Sequence, residues 1–153
     1  MYKRILVPVD GSEASNRGLG EAIKLAKEQG AALRLVHVVD ELIITGGLGG
    51  AMVYPADVVD QLRAAGTHVL EQADAMAQAQ QIAAESVLLE HFGGPAAPLI
   101  VDEAKNWNAD LIVIGTHGRR GLRRIVMGSD AETIVRTTPT PVLLVRSSAS
   151  DAA

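Results

Sequence analysis

The sequence contains no cysteine. Disulfide bonds, thiolate metal ligands and cysteine nucleophiles are therefore excluded together, and the chain is compatible with a reducing compartment. Aromatic residues are scarce, at 3% of the chain, which argues against a surface that stacks nucleic-acid bases. The formal net charge is -4, whereas general nucleic-acid binders carry a basic surface. We therefore expect no nucleic-acid partner.

Long hydrophobic runs are also missing. The first apolar run, Ile5–Val9, is interrupted by Pro8 and ends at Asp10, so it is too short for a signal peptide. No later segment approaches the ~20 apolar residues that span a bilayer. We expect a cytoplasmic protein with no membrane partner. Residues 1–147 are predicted to form a single domain, followed by a disordered tail at 148–153.

The apolar residues that are present recur in two patterns. Short, nearly continuous apolar runs predict strands that are covered on both faces of a sheet. Segments with helical periodicity alternate with these runs, and turn residues separate the two. The predicted strands are Ile5–Val9, Ala32–Val39, Ser86–His91, Leu111–Ile114 and Val142–Val145. The predicted helices are Ser12–Gln29, Asp57–Ala84, Ala97–Trp107 and a stretch that starts at Gly128-Ser129.

This alternation indicates an α/β fold, an open five-stranded parallel sheet with helices on both faces. Right-handed crossovers build such a sheet outward from a central pair of strands, and the simplest strand order is 3-2-1-4-5. The first and fourth strands then lie side by side at the switch point. Ligands of open α/β sheets bind there, outside the C-terminal ends of the strands.

The stretch Leu111–Arg136 carries the strongest functional signal. An apolar strand ends at Gly115, a loop rich in glycine and arginine follows, and a helix starts at Gly128-Ser129. Glycines let a backbone approach a ligand closely, and the first N–H groups of a helix bind anions such as phosphate. The predicted strand order brings the turn Asp10-Gly11-Ser12 beside this loop. Together the two segments predict a nucleotide-binding crevice.

The glycine spacing in this stretch resembles the ATP-binding signature of the universal stress protein (UspA-like) family. Gly115-x-x-Gly118 is followed, after nine residues, by Gly128-Ser129. The resemblance covers nearly the whole chain. It extends to Lys3–Ser12 at the start, Leu35–Val38 in the second strand and Pro139–Val145 at the end.

The resemblance implies an adenine nucleotide alpha hydrolase-like fold and a dimeric stress-response or signalling module. The implied ligand is ATP, or ADP or AMP, with Mg²⁺ held mainly by the phosphates. By position, adenine would meet Val38, and main-chain N–H groups with the Ser129 hydroxyl would hold the phosphates. The residues expected at the nucleotide are Pro8, Val9, Asp10, Val38, Gly115, His117, Gly118, Arg119, Gly128 and Ser129. No residue is assigned a catalytic or a metal-binding role.

Several of these residues also have structural interpretations. Asp10 fits a turn cap as well as a ribose or metal contact, and Ser129 would cap its helix in any protein. His117 is either an exposed loop residue or a ligand contact. Of the four loop arginines, Arg119 is assigned to phosphate because one triphosphate does not need all four. Asp130 departs from the family pattern, and its carboxylate would repel phosphates unless it turns away or shares a magnesium ion.

Other residues are interpreted as structural. His37, near the end of a buried strand, is predicted to be a core histidine with its hydrogen bonding satisfied. Trp107 is predicted to pack at a helix end, and Gly46–Gly50 to form a mobile surface loop rather than a lid. His68 and His91 show no ligand spacing, so no protein metal site is expected.

Catalytic signatures are missing from the chain. It contains no Gly-x-Ser-x-Gly nucleophile elbow, no Walker Gly-x-x-x-x-Gly-Lys and no Rossmann Gly-x-Gly-x-x-Gly. Phosphates held without a positioned nucleophile give binding with at most slow hydrolysis. We expect a regulatory nucleotide-binding module. Two alternatives are a slow Mg-dependent ATPase that uses Asp10, and a dimeric interaction protein that binds another anion or a cyclic nucleotide.

The fifth strand is predicted to lie at a sheet edge with an apolar face. Such an edge invites pairing with another chain. Pairing of two fifth strands across a two-fold axis would cover both edges. We therefore predict a homodimer through Val142, Leu143, Leu144 and Val145, with an unidentified client protein as a further partner.

Overall fold

The computed structural model describes residues 1–39, 56–90, 94–116 and 127–146 of the chain. In these ranges, strands and helices alternate as the sequence predicts. The strands are β1 (Arg4–Pro8), β2 (Ala32–Val38), β3 (Ala84–Leu89), β4 (Leu111–Gly115) and β5 (Val142–Val145). The helices are α1 (Glu13–Gln29), α2 (Ala56–Ala79), α3 (Ala97–Asn106) and α4 (Ser129–Thr137).

The strands form one five-stranded sheet in the order β3-β2-β1-β4-β5. Every pairing between neighbours is parallel. The predicted α/β fold and its strand order are therefore confirmed. The direction in which the chain adds strands reverses between β1 and β4, so the switch point lies between these two strands.

An apolar layer covers each face of the sheet. Alternate residues of a strand point to opposite faces, so Val7 of β1 belongs to one layer and Leu6 to the other. The first layer includes residues of α1 and α2, and the second includes residues of α3 and α4. We call these the α1/α2 face and the α3/α4 face. Burial on both faces explains why the central strands are almost continuously apolar.

Helix α1 begins and ends at the residues that its sequence predicts. Ser12 is the N-cap, and its hydroxyl accepts a hydrogen bond from the Ser15 N–H at 3.2 Å. Gly30 ends the helix in the left-handed conformation, with φ of 64°, which glycine adopts without the steric cost of a Cβ. Between these ends, Leu19 and Ile23 are buried on the α1/α2 face.

The boundary between α2 and β3 differs from the prediction. The sequence predicts a helix that continues to Ala84, but α2 ends at Ala79 and Ala84 is already the first residue of β3. The chain turns at Gln81, which has a φ of 63°. A residue other than glycine rarely adopts this conformation, so the sequence pattern does not reveal the turn. The predicted strand start at Ser86 is wrong for the same reason.

At the N-terminal edge of the sheet, where the strands begin, the side chain just before β4 accepts two hydrogen bonds from the start of β1. The Asp110 carboxylate accepts the N–H groups of Lys3 at 2.8 Å and of Arg4 at 3.0 Å. The Arg4 guanidinium donates in turn to the Trp107 carbonyl at 2.7 Å. The start of β4 is thereby tied to the start of β1 and to the end of α3.

Arg34 of β2 links this strand to β3 and α3 at the same edge. Its guanidinium pairs with Glu103 of α3 at 2.7 Å and also with Glu85 of β3. It lies over the Trp107 ring, 4.6 Å from the ring centroid. Trp107 is itself buried in the α3/α4 face, which confirms its predicted packing role.

Some predicted features lie outside the described residues. They are the loop Gly46–Gly50, His91, the loop residues His117, Gly118 and Arg119 with the arginines that follow, and the tail at 148–153. The single domain over 1–147 stays a prediction. Within the described ranges, no helix combines the length and the hydropathy needed to cross a membrane.

Candidate functional site

The crevice at the switch point opens because β1 and β4 part early. Their pairing ends at Leu6 and Ile112, whereas β1 continues beside β2 as far as Pro8. Successive N–H groups of a strand point to opposite neighbours, and the Val9 N–H donates to β2. The backbone nitrogen of Pro8, one residue earlier, therefore faces β4. Because proline has no N–H, it cannot donate a hydrogen bond to β4 there. The two strands separate beyond that point, at the C-terminal edge of the sheet.

The turn between β1 and α1 forms one wall of the crevice. Asp10 Oδ1 accepts the Ser12 N–H at 2.8 Å, and Ser15 Oγ accepts the Asp10 N–H at 3.1 Å. Gly11 between them has a φ of 80°, a conformation that favours glycine. The predicted turn-capping role of Asp10 is confirmed. Its contact with a ribose or a metal ion stays a prediction.

His37 anchors the end of β1 from the neighbouring strand. The residue is 8% exposed, and its Nδ1 lies 2.7 Å from the carbonyl oxygen of Val9. Because a carbonyl only accepts hydrogen bonds, Nδ1 carries the proton. The prediction of a hydrogen-bonded core histidine is confirmed. Helix α2 closes over the ring at Gly66, where a Cβ would lie 2.8 Å from His37 Cδ2.

Gly115 permits a close contact between a helix and a strand. A Cβ at Gly115 would lie 2.4 Å from the carbonyl oxygen of Ala14, in the first turn of α1. Gly18, one helical turn later, faces the same place, and its Cβ would lie 3.1 Å from the Gly115 nitrogen. The two glycines let α1 approach the end of β4 at backbone distance. Gly115 thus has a packing role beside its predicted contact with a nucleotide.

Thr116 joins three elements where β4 ends. Its N–H donates to the Val145 carbonyl of β5 at 3.0 Å, and its carbonyl accepts the Gly128 N–H at 2.7 Å. The second bond fixes the start of α4 against the end of β4. It also occupies the Gly128 N–H. At this helix start, the N–H groups that could meet an anion are therefore those that follow Gly128.

Helix α4 begins at Ser129, as the sequence predicts, and its N-cap residue is a glycine. Gly128 is the N-cap residue, and because glycine has no side chain, the N-cap residue itself cannot cap the helix. The alternative interpretation of Ser129 as the helix cap does not hold, because the Thr116 bond holds Gly128 in the cap position and Ser129 is already helical. The predicted contact of Ser129 with phosphate stays a prediction. The N–H groups of an uncapped helix start attract anions.

Two carboxylates lie in the first turn of α4, Asp130 and Glu132. Glu132 forms an ion pair with Arg136, one turn further along the helix, at 2.6 Å. This pair draws the Glu132 carboxylate away from the helix start. Asp130 is exposed and is the second residue of the helix.

The structure brings most of the described site residues together at the C-terminal edge of the sheet. The ends of β1 and β4 and the start of α4 supply Pro8, Val9, Asp10, Gly115, Gly128 and Ser129. Val38 ends β2 and packs on the α3/α4 face, the same face as α4. His117, Gly118 and Arg119 lie outside the described residues.

A cavity of about 350 Å³ lies on the opposite face, between α1 and α2. Of the predicted site residues, only Val9 lines it, together with Gly11 and uncharged side chains of both helices. Its lining therefore offers no cationic side chain to a phosphate. Among the described residues, no group of three or more His, Asp or Glu side chains is arranged to hold a metal ion.

Comparison with known proteins agrees with this geometry. The model of the universal stress protein family matches residues 1–146. The chain belongs to this family. A universal stress protein of Bacillus subtilis is 34% identical over 151 residues, which cover 95% of this chain and 100% of that relative.

Solved structures of universal stress proteins share the fold. A family member from Burkholderia pseudomallei is 31% identical, has a TM-score of 0.73, and the match covers 94% of this chain and 96% of that one. The universal stress protein of Archaeoglobus fulgidus in complex with dAMP is 26% identical, with a TM-score of 0.66 and coverage of 94% and 98%. Proteins of the same fold that are 23% and 18% identical were solved with cAMP and, from Arabidopsis thaliana, with AMP.

Proposed function

We propose that this protein binds an adenine nucleotide, ATP or else ADP or AMP, in the crevice between the ends of β1 and β4. One observation carries the proposal. The uncapped start of α4 is bonded to the end of β4 through the Gly128 N–H and the Thr116 carbonyl. It thereby lies beside the point where β1 and β4 separate. The dAMP complex of the Archaeoglobus fulgidus relative supports the choice of ligand class.

The polarity of the crevice suggests how the nucleotide lies. The phosphates would bind at the N–H groups that follow Gly128 and at the Ser129 hydroxyl, because a helix start favours negative charge. Adenine would extend across β1 toward Val38, which offers an apolar side chain on the α3/α4 face. Mg²⁺ would be held mainly by the phosphates. The sugar would then lie near Val9 and Asp10.

The proposal is of a binding module with little or slow hydrolysis. Asp10 is the acidic candidate for activating water, but its carboxylate is engaged in the β1–α1 turn through the Ser12 N–H. A general base needs to be within hydrogen-bond reach of the water that it activates. Bound nucleotide would therefore act as a signal that alters the surface seen by a client protein. A cytoplasmic location and a stress-related client remain predictions.

Nucleotide binding is tested by denaturing the purified protein and identifying any released nucleotide by chromatography and mass. We expect an adenine nucleotide in the wild type and none in Ser129→Glu. The new carboxylate favours a helix start but repels phosphate, so this variant should fold normally and lose the ligand. Ala79→Glu adds the same charge at the far edge of the sheet and serves as the matched control. A wild type that is empty and shows no thermal shift with Mg-ATP would overturn the proposal.

We further propose a homodimer through β5. In the described sheet, β5 pairs only with β4, so its outer edge has unpaired backbone groups. Leu143 is 38% exposed on this strand, whereas Val142 and Leu144 pack against the α3/α4 face. Leu143 is thus the side chain best placed to meet a second copy.

The dimer is tested by measuring the mass in solution by light scattering. Leu143→Lys should shift the protein toward the monomer, because it places a charge in the proposed interface. Val135→Lys is the control, since Val135 is similarly exposed but lies on α4. A wild-type monomer, or a Leu143→Lys variant that stays dimeric, would contradict the proposed interface.

A further inference from the structure

Thr116 carries a polar atom that the fold does not use. The residue is 7% exposed, and its Oγ1 is buried with no hydrogen-bond partner. Among the described residues, it is the one buried side-chain nitrogen or oxygen in this condition. Both backbone groups of the same residue are bonded, to Val145 and to Gly128. The lack of a partner is therefore confined to the hydroxyl.

A buried hydroxyl without a hydrogen-bond partner lowers the stability of the fold, and a residue without the hydroxyl would avoid this loss. Leaving such a group unsatisfied destabilises a fold by roughly 1–3 kcal/mol. Valine has the same shape without the oxygen and favours strands at least as well. Packing alone gives no reason for threonine at the end of β4. The hydroxyl therefore points to a partner that the fold does not itself supply.

The position of Thr116 indicates what that partner is. Along β4, Ile112 and Ile114 face the α3/α4 layer, and the alternation of the strand puts Thr116 on the same side. The Gly128 N–H, bonded to the Thr116 carbonyl, holds the uncapped start of α4 at this residue. A threonine hydroxyl donates one hydrogen bond. A helix start attracts anions, and phosphate oxygens accept such bonds.

We infer that Thr116 is a further ligand-binding residue, whose hydroxyl donates a hydrogen bond to a phosphate group of the nucleotide at the start of α4. This inference rests on the proposed nucleotide site and adds to it a specificity for phosphorylated ligands. The hydroxyl has no surface open to water in this structure, so the bond forms only if neighbouring groups move on binding. Adenosine, which has no phosphate, should not require it.

The test is the pair Thr116→Val and Thr116→Ser, measured by calorimetric titration with AMP, ATP and adenosine. Thr116→Val should bind AMP and ATP at least about tenfold more weakly than wild type, since a hydrogen bond to a charged group is lost. Its affinity for adenosine should be unchanged. Thr116→Ser keeps the hydroxyl and should bind all three ligands as wild type does. Thr137→Val removes a hydroxyl at the far end of α4 and is the matched control.

The melting temperature without nucleotide separates a ligand contact from a structural role. We expect Thr116→Val to melt at or above the wild-type temperature, because an unsatisfied polar group is removed. A clearly lower melting temperature, or failure to fold, would mean that the hydroxyl is bonded within the fold and would overturn the inference.

The binding data can also overturn it in a way that leaves the proposed function intact. If wild type and Thr116→Val bind AMP equally, the hydroxyl does not contact phosphate although the nucleotide site exists. An equal loss of adenosine and AMP affinity would likewise exclude a phosphate contact. If wild type binds no adenine nucleotide, the proposed function fails and the inference fails with it.

Discussion

The two edges of the sheet treat polar groups in opposite ways. At the N-terminal edge, Asp110 binds two backbone N–H groups and Arg34 pairs with Glu103 and stacks on Trp107. At the C-terminal edge, the helix start at Gly128 has no side-chain cap and the Thr116 hydroxyl has no partner. The C-terminal edge also has bonded polar groups, at Asp10 and His37. It differs from the N-terminal edge at the helix start and at the Thr116 hydroxyl, and we propose that a ligand binds there.

This difference separates stability from function within one sheet. Polar groups that are fully bonded to one another rigidify a structure, whereas unsatisfied ones reduce its stability. We infer that the N-terminal edge stabilises the starts of β1, β2, β3 and β4. At the C-terminal edge, the unsatisfied groups lower the stability of the fold, and we infer that they are kept because they bind the nucleotide. Changes at the first edge should therefore alter the free energy of unfolding, and changes at the second should alter nucleotide affinity.

The largest effect is expected for Trp107→Ala at the N-terminal edge. Loss of this buried ring should lower the free energy of unfolding by roughly 3–5 kcal/mol and leave Arg34 without its aromatic partner. The urea midpoint would show the loss, with Trp107→Phe as a milder control. Nucleotide affinity of the remaining folded protein should be unchanged. A binding defect in Trp107→Phe would break the separation between the edges.

The next largest effect is expected for Gly115→Ala. Its Cβ would lie 2.4 Å from a backbone oxygen of α1, and overpacking of this kind costs roughly 3 kcal/mol. Gly20→Ala is the matched control, because a Cβ there meets nothing within 4 Å. Within α1, that change should stabilise the protein by about 0.5–1 kcal/mol. Equal stabilities for the two variants would show that the glycine at the end of β4 is not needed for packing.

A smaller effect is expected at His37, which serves both stability and the site. His37→Leu removes the donor to the Val9 carbonyl and should lower the free energy of unfolding by roughly 1–2 kcal/mol. Nucleotide affinity should also fall, because the end of β1 is no longer held. His37→Asn places an N–H near the position of Nδ1. It should therefore restore part of the free energy of unfolding and part of the nucleotide affinity. If His37→Leu binds nucleotide as well as wild type, the histidine positions nothing in the crevice.

Much of this organisation can be predicted from the sequence. Apolar periodicity and the turn residues between the segments predict the strand order, since each strand–helix pair is a local pattern. Ser12 and Gly30, the ends of α1, are local signals of the same kind. The sequence also predicts that Asp10 and the start of α4 lie at the same edge of the sheet, because the topology follows from the order of elements.

What the sequence does not reveal depends on contacts between distant segments. The need for glycine at 115 comes from Ala14, on a helix about a hundred residues earlier in the chain. The cap position at Gly128 is decided by its bond to Thr116. The left-handed turn at Gln81 carries no glycine to mark it. That the Thr116 hydroxyl lacks a partner is a property of the whole packed environment.

The smallest effect is expected for Asp130→Asn at the start of α4. Removing an exposed negative charge near bound phosphates should tighten AMP and ATP binding by about two- to threefold at low salt, and by less as salt screens the charge. Titrations at two salt concentrations measure both quantities. Weaker binding by Asp130→Asn would show instead that the carboxylate assists the ligand, as it would by sharing a magnesium ion.

Amide hydrogen exchange with and without AMP compares the two edges most directly. We predict that the nucleotide slows exchange in the segments around 8–12, 113–116 and 127–131, at the C-terminal edge. Exchange at the N-terminal edge, around 2–5 and 105–110, should remain as it was. Slowed exchange at the N-terminal edge alone, or no change anywhere at saturating AMP, would contradict the assignment of binding to the C-terminal edge.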